Sequence, residues 1–227
     1  MNGAIVVAGG RGLRMGGDVP KQFLSVHGRP ILMWTLERIS AEIPDLQLIV
    51  VLPQSHQGYW KELCDKYHFQ ISHQLANGGD SRFASVRNGL KCVADTVDVV
   101  CVHDGVRPFV SSSVIRTGFE MARKKGAAVP VVPLVDSVRK LNNDGSSQSV
   151  NRADYQLVQT PQFFNLKQLR RAYEQPFSEQ FTDDASVVES MGEEVTLFPG
   201  NVENIKITRP LDCALAEVIL AEQCTTF

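Results

Sequence analysis

Short apolar, β-branched runs alternate with longer amphipathic segments along most of the chain. Ala4–Ala8 reads as a first buried strand, and Pro30–Ala41 as a helix whose apolar residues recur at roughly helical spacing. Leu46–Leu52 is a second strand, Gln57–Tyr67 a second helix, and Phe69–His73 a short third strand. Ser81–Val93 follows a Gly-Gly turn and has Ser or Asp available as its N-cap. Val97–Val102 has the composition of a central strand, Ser111–Lys125 is a helix ending at Gly126, and Ala127–Val132 is a further strand. Nearly all-apolar strands joined by helices indicate a parallel sheet covered on both faces. The expected fold class is therefore α/β, a doubly wound, mostly parallel sheet with ligands at the carboxyl ends of its strands.

The pattern breaks between about Asp136 and Tyr155. A polar stretch, Asn142-Asn143-Asp144-Gly145-Ser146-Ser147, lies between weakly alternating flanks at Ser137–Leu141 and Ser149–Arg152. That is a hairpin signal. A hairpin leaving the domain exposes strand edges unless a partner covers them, so a dimerisation arm and a merely solvated loop both fit. Beyond it, Leu166–Tyr173, Asp183–Met191 and Leu211–Ala221 read as helices, with late strands at Glu194–Phe198 and Asn204–Thr208. Residues 1–227 are expected to form one domain carrying that arm, with no internal repeat and no interdomain linker.

Composition narrows the function classes. A formal net charge of -2 gives no global basic field, so any bound anion is held by a local cluster and nucleic acid is not an expected partner. The five cysteines are odd in number and widely spaced, without a C-x-x-C pair. They suit small core positions in a reducing cytoplasm rather than a disulfide framework or a zinc site. No stretch approaches the roughly 20 apolar residues that span a bilayer, and the N-terminus lacks the pattern of a signal peptide. A cytoplasmic protein without membrane contact is the expectation.

The densest chemistry follows the first strand. Ala8-Gly9-Gly10-Arg11-Gly12-Leu13-Arg14-Met15, then Pro20-Lys21-Gln22, bring backbone N–H groups and cationic side chains to one place. Glycine permits close approach of the main chain, and successive N–H groups make an anion nest, so polyphosphate is the natural guest. Further on, His103-Asp104-Gly105-Val106-Arg107-Pro108 ends a central strand where a ligand crevice is expected. Asp104 there suits Mg²⁺, which takes carboxylate and phosphate oxygens together. The competing role, a cap for the next helix, is disfavoured because that helix starts near Ser111–Ser113. His103 reads as a packed or hydrogen-bonded histidine rather than a base. Gly78-Gly79-Asp80-Ser81-Arg82 with Ser85 combines a glycine turn and a helix start able to hold an anion or a polar ring edge. Lys206, in the middle of an apolar run, points to a charged site, since lysine is rarely buried without a partner. The Walker pattern, the G-x-G-x-x-G spacing and a serine-hydrolase elbow are all absent.

Taken together, AGGRGLRM, PKQFL, GGDSRFASVRNGL, VHDGVRPFV, QTPQFF, TDDAS and NIKITRP, in this order, resemble the sugar-nucleotide and polyol-phosphate nucleotidyltransferases. More narrowly the chain resembles the 2-C-methyl-D-erythritol 4-phosphate cytidylyltransferase family of isoprenoid biosynthesis, from Ala4 to about Leu220. The resemblance implies a Rossmann-like nucleotidyltransferase fold, CTP as co-substrate and a divalent cation, Mg²⁺, on Asp104. It implies that Ala8, Gly9, Gly10, Gly12 and Arg14 hold the triphosphate, with Lys21 and Lys206 around the reacting phosphate. It places Gly79, Asp80 and Ser85 near cytosine and ribose, and Asp104, Gly105, Arg107 and Thr160 in the same crevice. Arg107, Ser137 and Arg152 are the implied acceptor residues. Ser137 and Arg152 would reach from the arm into a neighbouring subunit of a homodimer.

The chain departs from the family pattern at Val135, where an Arg is usual, at Ser137 for Thr, and at Gly105-Val106 for two alanines. These changes fall partly in the acceptor region. A ribitol-5-phosphate cytidylyltransferase shares the loop, Pro-Lys-Gln-Phe-Leu and Asp-x-Val-Arg-Pro-Phe, and is the nearest rival. A catalytically silent nucleotide-binding module on the same fold is the alternative from another class.

Overall fold

A computed structural model describes residues 1–10 and 19–225. In chain order, β1 (Asn2–Val7) precedes a two-stranded turn of β2 (Ser25–Val26) and β3 (Arg29–Pro30), then α1 (Ile31–Ser40), β4 (Gln47–Leu52) and α2 (Gln54–Lys66). β5 (Gln74–Asn77), α3 (Arg82–Leu90), β6 (Val99–Asp104), α4 (Ser112–Lys125) and β7 (Ala127–Pro133) follow. The arm is β8 (Val138–Leu141) and β9 (Ser147–Val150). The chain returns through β10 (Gln156–Val158), β11 (Gln162–Asn165), α5 (Leu166–Ala172), α6 (Asp184–Glu189), β12 (Thr196–Pro199) and α7 (Pro210–Thr225).

Among the described residues the main sheet runs β10-β7-β11-β6-β1-β4-β5, with β12 on β7. β6, β1, β4 and β5 are parallel neighbours, as are β7 and β12. β10 and β11 run antiparallel. The fold class is as expected, a mostly parallel α/β sheet.

Successive strand residues feed opposite cores. Ala4, Val6, Leu48, Val50, Val99 and Cys101 pack under α1, α2 and α4. Ile5, Ile49, Val51, Val100 and Val102 pack under α3, α5 and α6. Each fully buried Leu, Ile, Val or Phe contributes about 1.5–3 kcal/mol of hydrophobic stabilisation. Helix ends follow local chemistry. Ser111 caps α4 by accepting from the Val114 N–H, three basic residues fill its last turn, and Gly126 ends it at a φ of 91°.

Several elements differ from the sequence expectation, the short strands β2, β3 and β10 among them. Phe69–His73 is not a strand, and the fifth strand is Gln74–Asn77 instead. The rings of Phe69 and His73 turn onto Trp60, whose Nε1 donates to His73 Nε2, and this packing replaces ladder pairing. Asn204–Thr208 likewise belongs to no strand. Its backbone is held by single hydrogen bonds, from Ile205 to Glu203 and from Ile207 to Val106, rather than by a ladder. Gln162–Asn165 forms β11 in mid-sheet because adjacent phenylalanines serve both faces. Phe163 enters the α4 core and Phe164 the α5 core. No helix among the described residues is long and apolar enough to cross a membrane.

Candidate active site

The carboxyl ends of β1, β4, β5 and β6 open into a cleft of about 740 Å³, where a parallel sheet presents its ligand crevice. Ala8, Gly9, Gly10, Lys21, Gly79, Asp80, Ser85, Asp104 and Lys206 all line it. The sequence expectation thus draws residues from five separate segments to one cavity. Gly12 and Arg14 lie outside the described residues.

Asp104 forms the floor. Lys206 Nζ stands 2.8 Å from its Oδ2, Arg107 Nε 3.6 Å from the same oxygen, and Arg82 Nε 3.8 Å from Oδ1. Burial alone would raise the carboxyl's pKa, but Arg82, Lys206 and Arg107 together hold it below the ordinary range. Its three cationic neighbours thus favour the ionised carboxylate.

A buried chain of hydrogen bonds sets its position. The Asp104 N–H donates to Thr160 Oγ1 at 3.0 Å. Thr160 Oγ1 is 3.0 Å from His103 Nδ1, and His103 Nε2 is 3.0 Å from the Arg107 carbonyl. A carbonyl only accepts, so Nε2 carries the proton and Nδ1 accepts from the threonine hydroxyl. Burial pushes the His103 imidazole down to about 4, which keeps it neutral. Thr160 thus lies beneath the floor rather than in the lining. Gly105 is also buried there, its N–H donating to the Val7 carbonyl at 2.9 Å.

Lys206 reaches the floor from a loop, not a strand. Asn204, fully buried, donates from Nδ2 to the Thr160 carbonyl at 2.8 Å, while Arg107 Nη1 donates to the Asn204 carbonyl at 2.7 Å. These contacts deliver the ammonium that the sequence marked as site-directed. Lys21 also lines the cleft, beside Gly10. A side chain at Gly10 would come within 2.9 Å of Lys21 Cε, so the glycine leaves room for the cation.

The Gly79–Ser85 turn is self-supporting. The Gly79 N–H donates to Ser85 Oγ, whose hydroxyl donates to the Ser81 carbonyl. Ser85 therefore shapes this wall while exposed Asp80 faces the cleft.

Sequence reasoning assigned no role to Arg82 or Asp184. Arg82 forks onto Asp184 with contacts of 2.9 and 2.6 Å, and the Tyr173 hydroxyl donates to the same carboxylate. Asp184 is fully buried. A cation in the first turn of α3 opposes the helix dipole, and that mismatch was the legible sign of a long-range partner. Ser137 and Arg152 are exposed and do not line the cleft. They flank the two strands of the arm, and Arg152 donates to the Val135 carbonyl.

The family model described as IspD, 2-C-methyl-D-erythritol 4-phosphate cytidylyltransferase, matches residues 3–222. The chain belongs to this family. A 2-C-methyl-D-erythritol 4-phosphate cytidylyltransferase of Phocaeicola vulgatus is 54% identical over 216 residues, covering 95% of this chain and 98% of that relative. One of Bacteroides thetaiotaomicron is 52% identical over the same shares. The crystal structure of 4-diphosphocytidyl-2C-methyl-D-erythritol synthase from Anaerococcus prevotii superposes with a TM-score of 0.82 at 29% identity, over 97% of this chain and 96% of that one. The cytidylyltransferase of Thermus thermophilus gives 0.75 at 32% identity, over 97% and 100%. Family membership does not favour the ribitol-phosphate alternative.

Proposed function

We propose that the cleft binds CTP and transfers its cytidylyl group to 2-C-methyl-D-erythritol 4-phosphate, releasing pyrophosphate, as a step of isoprenoid synthesis. The acceptor's phosphate oxygen bonds to the α-phosphorus while the bond from that phosphorus to the bridging oxygen breaks. The nucleophile is already an anion, so no general base is needed. Positioning and neutralisation of charge supply the catalysis. The observation that carries this reading is the cluster of Lys206 and Arg82 on Asp104, lining one cleft together with Lys21, with Arg107 paired to the same carboxylate from outside the lining.

In this reading Lys21, Lys206 and Arg14 stabilise charge at the reacting phosphate. Ala8, Gly9, Gly10 and Gly12 cradle the triphosphate, and Gly79 and Asp80 meet the nucleoside. Thr160, Ser85 and Gly105 hold those walls in place. Asp104 also fits Mg²⁺. Its Oδ1 faces Arg82 Nε at 3.8 Å, too far for a hydrogen bond, and one carboxylate with substrate phosphates suffices for this ion. When bound there, the cation would draw negative charge from the triphosphate.

The arm completes the acceptor site in a homodimer. Ser137 and Arg152 of one chain would hold the methylerythritol phosphate over the neighbour's cleft. The free cysteines among the described residues suit a cytoplasmic location. Pyrophosphate release from CTP and Mg²⁺ with 2-C-methyl-D-erythritol 4-phosphate, and not with ribitol 5-phosphate, is the expected result. Turnover of ribitol 5-phosphate alone would overturn the acceptor assignment.

A further inference from the structure

Lys206 is carried by a loop, and a lysine ammonium rides on a flexible four-carbon stem. Its placement therefore depends on how firmly the backbone beneath it is held. Asn201 clamps one side of that loop. Its Oδ1 accepts from the Ser111 N–H at 3.0 Å, and its Nδ2 donates to the Phe109 carbonyl at 2.9 Å. On the other side the Ile207 N–H donates to the Val106 carbonyl at 3.0 Å. Between these clamps lies Asn204, fully buried.

Asn204 closes a ring through the floor of the cleft. The Asp104 N–H donates to Thr160 Oγ1, and Asn204 Nδ2 donates to the Thr160 carbonyl. Arg107 Nη1 donates to the Asn204 carbonyl, and Arg107 Nε returns to within 3.6 Å of Asp104 Oδ2. From the next residue but one, Lys206 Nζ lands 2.8 Å from that same oxygen. Gln159, also buried, backs the ring. Its Nε2 donates to the Asn201 carbonyl at 2.9 Å, and its Oε1 lies 3.4 Å from Asn204 Nδ2. Gly200 leaves room for this amide, since a side chain there would come within 2.4 Å of Gln159 Oε1. Asn204 Oδ1 has no partner, and a buried unpaired oxygen costs stability. Folding alone does not explain an amide at this place; its donor and its carbonyl, which tie Lys206 to the surroundings of Asp104, do.

We propose that Asn204, backed by Gln159, is a positioning residue for cytidylyl transfer, which sets the Lys206 ammonium over the Asp104 floor and acts on the reacting phosphate through that lysine. The proposal rests on the cleft being the transfer site and on Lys206 acting there.

A double-mutant cycle on kcat separates this role from simple support of the fold. Asn204→Leu keeps the bulk of the side chain and removes the donor. It should lower kcat about 10- to 100-fold, as for a misplacement of about 1 Å, while KM for CTP stays within about twofold of wild type. Added to Lys206→Ala, it should lower kcat by less than about twofold more, because the group it positions is already gone. Near-normal kcat in Asn204→Leu, or a loss that multiplies fully with that of Lys206→Ala, would overturn the positioning role. Where circular dichroism shows Asn204→Leu unfolded at the assay temperature, Gln159→Met takes its place in the cycle and is read by the same outcomes. Near-normal turnover by Lys206→Ala would instead overturn the reading of the cleft beneath the proposal.

Discussion

The nucleotide cleft and the arm are built on opposite terms. In the cleft, Asp104 meets Arg107 three residues further on, and Arg82 and Lys206 from two distant segments of the same chain. Asp184 is buried beneath Arg82, and Thr160 and His103 are buried beneath Asp104. In the arm, β8 pairs with β9 and the two form a sheet of their own. Val135 and Leu141 there are 78% and 76% exposed. A nucleotide site can thus be finished by one fold's long-range contacts, whereas a largely polar hairpin paired only with itself leaves its strand edges and a few apolar side chains exposed.

Perturbing each region should have different consequences. The largest effect is expected for Arg82→Ala, which strands the buried Asp184 carboxylate. Urea unfolding should show a loss of about 3–5 kcal/mol, while Arg152→Ala in the arm leaves the monomer's unfolding free energy near wild type. Lys21→Ala and Lys206→Ala should each lower kcat by about 10²–10³ with folding intact, as for removal of one electrostatic stabiliser. Steady-state kinetics with circular dichroism would check this, and near-normal turnover would remove the assigned role.

The third effect is a pH dependence. His103 titrates near 6.5 when unfolded and about 4 when folded, so between those values the unfolded chain binds the extra proton. Stability should fall as pH drops through this window, by up to about 3 kcal/mol. His103→Gln should flatten that slope in urea midpoints measured from pH 7 to 4.5. The smallest effect belongs to Ser137. Its alanine variant should raise KM for the methylerythritol phosphate several-fold, for about 1 kcal/mol of one hydrogen bond, with KM for CTP unchanged. Ser137→Thr, which keeps the hydroxyl, should behave like wild type.

What the sequence disclosed follows the same division. Alternating apolar strands and the glycine loop are local signals, and they located β1, β4, β6 and β7 to within a few residues. Asp104 and Lys206 were legible because a carboxylate at a strand end and a lysine among apolar residues are locally anomalous. Phe69–His73 was misread as a strand because ring packing onto Trp60, a tertiary choice, outweighed a short apolar run. β11 was missed because polar residues precede two phenylalanines that serve opposite faces. Arg82 and Asp184 are 102 residues apart, and nothing local announces such a pair except the unfavourable charge at a helix start.

The central claim is that one chain's cleft works with its neighbour's arm, and mixed dimers test it most directly. Lys206→Ala and Arg152→Ala homodimers should each be nearly inactive. Dimers re-formed from an equal mixture would hold one intact cleft facing one intact arm in every heterodimer. Pyrophosphate release should then recover to about a quarter of wild type, the statistical share of restored sites in a symmetric dimer. A mixture no more active than its two parents would show that cleft and arm do not meet across subunits.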